Sequence, residues 1–266
     1  MPGYVENQNS PSRRVKLAAV VVALNEEEKI GDCLESISFV DDIVVVDSGS
    51  TDRTLEICHA HGARVFHNEW KGYIEQKNFA LSLVESDWVL SVDADERVSA
   101  RLREEIIAEL KNPQADGYYI PRLAYYVNRW IYHCGWFPDR KLRLFRREVG
   151  RWTGENPHDK VMVSTGRTAR MAGIIFHLSF EDIAAHVRTL NDFSTIGARE
   201  RLKKGKDSGP AHIIFRPLFT FLKMYLFRRG FQDGLPGFIV SALSAFHVFS
   251  KYWKITEMKK KQNELP

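Results

Sequence analysis

Trp88-Val89-Leu90-Ser91-Val92 runs directly into Asp93-Ala94-Asp95. A short apolar run ending on two carboxylates reads as a buried strand that carries its charges out at its carboxyl end. The same pattern appears twice upstream. Ile43-Val44-Val45-Val46 leads into Asp47-Ser48-Gly49-Ser50-Thr51-Asp52, and the nearly continuous apolar stretch from Val15 to Leu24 leads into Asn25-Glu26-Glu27. Between these strands lie segments of helical spacing: Glu26 to Ile37 through Ile30 and Leu34, a helix from Arg53 that Asp52 can cap and Gly62 can end, and Tyr73 to Val84. Arg64-Val65-Phe66 is a further short strand. Strands and helices alternating at this length predict an α/β fold with a mainly parallel sheet covered by helices. Ligands of such sheets bind beyond the carboxyl ends of the strands, so Asn25, Asp47 and Asp93 are expected to face one cleft.

The second half reads less regularly. Arg101 to Lys111 is a helix with Leu102, Ile106 and Leu110 inside and Pro113 beyond its end. Gly117 to Val127, Lys141 to Phe145 and Ile174-Ile175-Phe176 are expected strands. The pattern turns helical from Ile183, and the polar stretch Lys203 to Pro210 marks a break. This divides the chain into a flexible tail over 1–14, an α/β domain over 15–200 and a helical extension over 201–266.

Of the 266 residues, 44% are hydrophobic and 27% charged, which fits a globular chain and excludes a disordered one. Cys33, Cys58 and Cys134 are scattered without metal-type pairing, so they read as small buried hydrophobes in a reducing compartment. Met1 to Ser12 lacks the apolar core of a secretory signal, and no run approaches the ~20 apolar residues a membrane span requires. The charge is uneven. From Arg201 onward Lys and Arg outnumber Asp and Glu by thirteen to four, although the net charge of the whole chain is only +4. Phe215, Phe219, Phe227, Phe231 and Trp253 are interleaved with these cations. This composition suits an anionic membrane surface. Nucleic acid ranks well below it, because no nucleic-acid motif is present. Packing against the α/β domain or a second subunit is the alternative use of the same apolar residues.

Two carboxylates at a strand end suit a hard divalent cation such as Mg²⁺ or Mn²⁺, which bridges to a diphosphate. The ordinary alternative is turn chemistry. The order and spacing of Val20 to Glu27, Asp47 to Asp52, Gln76-Lys77-Asn78 and Asp93-Ala94-Asp95 resemble the family 2 glycosyltransferases, whose GT-A fold binds a nucleotide-sugar. Gly135-Trp136-Phe137-Pro138-Asp139-Arg140-Lys141-Leu142-Arg143-Leu144-Phe145-Arg146-Arg147, followed by Gly154 to Asp159, resembles the bacterial lipopolysaccharide-core glucosyltransferase subfamily.

The resemblance implies an inverting, metal-dependent hexosyltransferase that uses a UDP-hexose donor, glucose above all, and a lipopolysaccharide inner-core acceptor, with another lipid-linked saccharide or a polysaccharide as the alternative acceptor. It would work at the cytoplasmic face of the inner membrane as a peripheral protein. Asp93 and Asp95 would serve the cation, with Asp93 also facing the donor ribose. Asp47 would accept hydrogen bonds from the base, Asn25 and Glu26 would flank base and ribose, and Asp52 belongs to the same donor-side group. Lys77 would meet phosphate. For Asp47, Asp52 and Lys77 the alternatives are a turn, a helix cap and a solvated helix face. Glu155, His158 and Asp159 are the candidates for the base that deprotonates the acceptor hydroxyl, Asp159 first and Glu155 second. The subfamily has Glu where this chain has Asp159. Trp136, Asp139, Arg140 and Arg143 form an aromatic and charged group fit for a phosphorylated saccharide acceptor. His177 reads as a satisfied core histidine, with an extra cation ligand as the alternative. A nucleotidyltransferase would need a glycine-rich basic loop after the first strand, and Leu24-Asn25-Glu26-Glu27-Glu28 is acidic and lacks glycine. A membrane-associated nucleotide-sugar-binding protein without catalysis is the rival from another class.

Overall fold

The structure is a computed structural model that describes residues 14–155, 158–180, 182–205 and 209–263. Apart from Arg14, the expected N-terminal tail lies outside the described residues. The chain runs β1 (Leu17–Ala23), α1 (Ile30–Ser36), β2 (Asp42–Asp47), α2 (Thr54–Ala60), β3 (Arg64–His67), α3 (Tyr73–Ser82), β4 (Trp88–Ser91), β5 (Glu96–Val98) and α4 (Ala100–Glu109). It continues through β6 (Gly117–Tyr126), β7 (Arg129–Ile131), β8 (Asp139–Arg146), β9 (Gly150–Glu155), β10 (His158–Val163), β11 (Thr168–Arg170) and β12 (Ile175–Phe180). The helices α5 (Ile183–Lys203), α6 (Pro210–Leu222) and α7 (Gly234–Asn263) close the chain. A π-helical turn over Lys223–Phe227 and a 3₁₀ turn over Gly230–Asp233 join α6 to α7.

The main sheet has the order β3-β2-β1-β4-β8-β6-β12-β5. β3, β2, β1 and β4 are parallel, as the strand–helix alternation requires. From β4 on the sheet is mixed. β8 lies antiparallel between β4 and β6, β12 is parallel to β6, and β5 is antiparallel to β12. The sheet is thus mainly parallel, as expected, with its antiparallel pairings confined to this half.

β1 explains why the sheet is covered on both sides. Leu17, Ala19, Val21 and Ala23 point into a core built with Ile30 and Leu34 of α1 and Leu102 and Ile106 of α4. Ala18 and Val20 point the other way, into a core with Ala80, Trp152 and Val161. A central strand buried on both faces must be apolar throughout, and it is. α4 starts where Ser99 accepts from the Leu102 N–H, a standard N-cap. α1 starts at Ile30, four residues later than the helical spacing implied, because Glu26 to Lys29 are held in a turn against the loop after β2.

The C-terminal helices are joined to the sheet. The Lys254 ammonium donates to the Asn191 carbonyl and to Ser194 and Thr195, lashing α7 to α5 at 2.7–2.8 Å. Tyr126, Ile131, Cys134 and Val240 form a small core between β6, β7 and α7. At the start of α7 the backbone passes very close to the preceding turn. A Cβ on Gly237 would run into the Gly230 carbonyl oxygen and lie 3.0 Å from the Asp233 Cβ. Since backbone cannot yield as a flexible side chain can, Gly237→Ala should destabilise the protein by about 1–3 kcal/mol. Urea unfolding checks this; a midpoint equal to wild type would show that the helix start is not tightly packed.

Candidate active site

The carboxyl ends of β1, β2 and β4 lie side by side, with Ala23 opposite Asp47 and Val20 opposite Ser91. The two upstream loops are tied to each other. Asn25, at φ +54°, accepts from the Thr51 N–H through its side chain and donates its own N–H to the Ser50 hydroxyl, both at 2.8 Å. The Glu26 N–H donates to Thr54 Oγ1 at 2.8 Å. Asp52 accepts from the Glu27 N–H and from the Thr54 N–H and hydroxyl, so its carboxylate fastens the two loops and the start of α2. Asp47 is buried and accepts from the Gly49 and Ser50 N–H groups, with Gly49 in the left-handed region at φ +108°. Both Asp residues therefore hold the loop in the turn and cap roles that their sequence positions allow.

α3 distributes Gln76, Lys77 and Asn78 around its axis, since successive helical residues differ by about 100° in direction. Gln76 is buried and donates to Ser48 and to the Asn68 carbonyl. Asn78 makes a reciprocal pair with the Trp152 backbone, at 3.0 and 3.1 Å, and so pins β9 to α3. Lys77 lies between these anchors. Its ammonium stands 3.1 Å from Asp93 Oδ1, 2.9 Å from Asp159 Oδ2 and 4.4 Å from the Trp152 ring centroid.

The segment Gly154 to Asp159 holds the end of an antiparallel strand pair in which Glu155 pairs with His158 and Gly154 with Asp159. Asn156 and Pro157, with the side chains of Glu155 and His158, lie outside the described residues. Asp159 reaches the cleft and meets Lys77.

Asp93 accepts from Arg143 Nη2, which also donates to Glu96 Oε1 at 2.8 Å. Arg143 sits there because β8 runs antiparallel to β4 with Leu144 opposite Leu90, which puts Arg143 level with the end of β4. It is 4% exposed, and its guanidinium is held by the strand-end carboxylates. Glu96, wholly buried, also takes Arg122 Nη1 at 3.3 Å and the Asp93 N–H at 3.0 Å. Burial alone would push the Asp93 carboxyl up. The Arg143 and Lys77 cations more than reverse this and hold it well below the usual carboxylate range. Burial likewise opposes the charge on Arg143, and Asp93 and Glu96 raise it nonetheless.

Asp95 faces a different partner. Its Oδ2 is 3.1 Å from His177 Nε2, and Ser179 Oγ is 2.8 Å from the other ring nitrogen. The antiparallel pairing of β12 with β5, His177 opposite Glu96, brings them together. A carboxylate oxygen and an imidazole nitrogen about 3 Å apart have the spacing of neighbouring ligands on a cation with bonds of about 2.1 Å. Ser179 fixes the ring as an outer partner of a metal-binding histidine does. Among the described residues there is no group of three or more His, Cys, Asp or Glu that could hold a metal. The residues present fit a cation bound through two protein donors, with its remaining positions open to ligand oxygens and water.

Two cavities adjoin this charged cluster. One, of about 500 Å³, is lined by Lys77, Asp93, Arg140, Arg143, Trp152 and Asp159. The other, of about 330 Å³, is lined by Trp136, Asp139, His177, Ser179, Phe180 and Phe193. Arg122 lines both, paired with Asp139 at 2.8 Å. Burial raises the Asp139 carboxyl and Arg122 and Lys141 outweigh it, so the group stays below its ordinary range. The expected acceptor residues are thus split: Trp136 and Asp139 on the second cavity, Arg140 and Arg143 on the first. Glu96 and Arg122 went unremarked in the sequence. Their signal was a third carboxylate within four residues and single arginines inside otherwise apolar strands.

With the geometry in place, comparison with known proteins is decisive. The family described as Glycosyl transferase family 2 matches residues 18–172. The chain belongs to this family. A lipopolysaccharide core biosynthesis glycosyltransferase, LpsC of Rhizobium meliloti, is 31% identical, covering 91% of this chain and 92% of that protein. An uncharacterized glycosyltransferase of Rickettsia typhi is 30% identical over 94% and 90% of the two chains. Among solved structures, Staphylococcus aureus TarS 1-349 in complex with UDP-GlcNAc is similar at TM-score 0.48 and 16% identity, covering 94% of this chain and 92% of that one. The enzyme is a family 2 glycosyltransferase with a GT-A fold.

Two outcomes follow from the charge network. Arg143→Met leaves Asp93 and Glu96 short of a cation and should cost roughly 3–5 kcal/mol, read by urea unfolding at neutral pH. The depressed Asp93 carboxyl contributes stability that is complete above its unfolded value near 3.9 and is lost as pH falls through its lower native value. Asp93→Asn should therefore flatten the loss of stability below about pH 4. An unchanged slope would show that Asp93 is not the group responsible.

Proposed function

We propose that this glycosyltransferase transfers a hexose with inversion, glucose from UDP-glucose, to a lipopolysaccharide inner-core acceptor, and that it needs Mg²⁺ or Mn²⁺. The observation that carries the reading is Lys77, which touches the strand-end carboxylate Asp93 and the hairpin carboxylate Asp159 at once. A donor-side group and a candidate base thereby face the same cleft. The similarity to LpsC along most of both chains supports the acceptor class. A lipid-linked acceptor in turn makes the enzyme peripheral on an anionic membrane at the cytoplasmic face.

Asp95 and His177 would hold the cation, which when bound supplies Lewis acidity to the departing diphosphate. Asn25, Glu26 and Asp47 line the nucleotide side, with Asp52 fastening their loops, and Asp93 faces the ribose. Lys77 offers the diphosphate a point charge. On the acceptor side Asp159 takes the proton of the attacking hydroxyl as its oxygen bonds to the anomeric carbon and the bond to diphosphate breaks. Trp136 stacks on a sugar face, while Asp139 and Arg140 bind polar acceptor groups.

A screen of nucleotide-sugars that reads released nucleoside diphosphate identifies the donor, and UDP-glucose is expected to give the strongest signal. Asp159→Asn should lower the transfer rate by roughly 10²–10⁴-fold. Its donor affinity should hold or rise, because Lys77 loses a competitor for the diphosphate. Near-native transfer by Asp159→Asn with an inactive Glu155→Gln would move the base to Glu155. Asp95→Ala should abolish transfer, and full activity of the native enzyme in excess chelator would refute the metal requirement.

A further inference from the structure

The last third of the chain presents a surface that the reaction does not use. On α6, Ile214, Phe215, Leu218 and Phe219 recur at helical spacing and are all exposed, Phe215 at 65%. The stripe continues through Leu226 and Phe227, the latter 78% exposed, to Phe231 and Leu235 at the start of α7. It is one patch. Phe238 packs edge-on against Phe221 and Tyr225, and Tyr225 meets Phe231. Arg216 and Lys223 lie beside the stripe on the helix and Arg228 and Arg229 follow it at the turn, all four exposed.

The charge around this patch has one sign. Between Gly209 and Thr256 the sequence holds a single acidic residue, Asp233. Asp233 is buried and accepts from the His133 backbone N–H at 2.8 Å, with the His133 ring nitrogen also 2.8 Å away. A second copy of this chain would bring like charge against like charge. No helix among the described residues is long and apolar enough to cross a membrane, so such a face can lie in an interface but not span it. Exposed aromatics between long cationic side chains are the composition that enters the headgroup region of anionic lipid.

The same turn reaches the second cavity. The Arg228 carbonyl accepts from the Cys134 N–H at 3.1 Å, Asp233 holds His133, and the next residues of that loop are Gly135 and Trp136, which line the cavity beside Asp139. The turn over residues 228–233 therefore touches the apolar patch on one side and supports the cavity loop on the other.

We propose that the face formed by α6, the turn after it and the start of α7 rests on an anionic lipid bilayer, and that the Trp136 cavity is thereby loaded from the membrane side. The second half of this statement rests on the lipid-linked acceptor above; the first does not. Co-sedimentation of the full chain with vesicles of equal parts phosphatidylglycerol and phosphatidylethanolamine tests it, with phosphatidylcholine vesicles as the comparison. Binding is expected to the anionic vesicles, falling steeply with salt, and each cation removed from Arg216, Lys223 and Arg229 should weaken partition about fivefold. Phe215→Glu with Phe219→Glu, and separately Phe227→Glu, should each lower vesicle binding at least tenfold while leaving the hydrolysis of a soluble nucleotide-sugar unchanged. Equal binding to both vesicle types, binding to neither, or wild-type binding by both variants would overturn the proposal. So would light scattering that shows a wild-type dimer made monomeric by Phe227→Glu. A chain that binds vesicles but releases no nucleoside diphosphate from any donor would instead refute the assigned reaction and leave the surface standing.

Discussion

The site depends on one electrostatic constraint: Asp93, Glu96 and Asp159 stand close together at the end of β4, and Lys77, Arg122 and Arg143 must be among them. Glu96 is wholly buried and Arg143 nearly so, and neither charge would be tolerated there without the other. The three cations come from α3, β6 and β8, so the network ties the parallel half of the sheet to the mixed half. It also separates the two acids of Asp93-Ala94-Asp95. Asp93 is neutralised by protein cations, while Asp95 faces an imidazole. Two carboxylates that look equivalent in sequence are thereby given different chemistry.

Much of this was legible from the residues. β1, β2 and β4 were clear because strands buried on both faces leave continuous apolar runs, and the strand ends that hold Asn25, Asp47 and Asp93 followed from topology. Ser48 and Gly49 marked the turn that occupies Asp47. What was not legible depended on register. Arg143 joined the expected acceptor group because a guanidinium suits phosphate, and only the pairing of Leu144 with Leu90 shows that it reaches the strand-end carboxylates. The strand pairing that flanks Gly154 to Asp159 was not foreseen, because the segment carries no alternating apolar pattern. His177 read as a satisfied core histidine. Both its ring nitrogens do have neighbours, but one of them is Asp95, which lies 82 residues away in sequence.

The helical extension shows the same limit. Its cations and aromatics were plain, but not which of them face solvent. Lys254 is consumed by α5, whereas Arg229 and Lys223 remain on the surface. The polar stretch after Lys203 marked a break in the chain, and beyond it the turn before α7 grips the loop that leads to Trp136. Only packing tells what the segment supports.

The central claim is that Asp95 and His177 act as a pair toward a cation that carries the nucleotide diphosphate. Calorimetric titration of UDP into the full chain, with Mn²⁺ and then with excess chelator, tests it most directly because it needs neither acceptor nor turnover. Binding that weakens at least tenfold on chelation, and that loses this dependence in His177→Ala, is the predicted result. Equal affinity with and without the metal in the wild-type protein would contradict it.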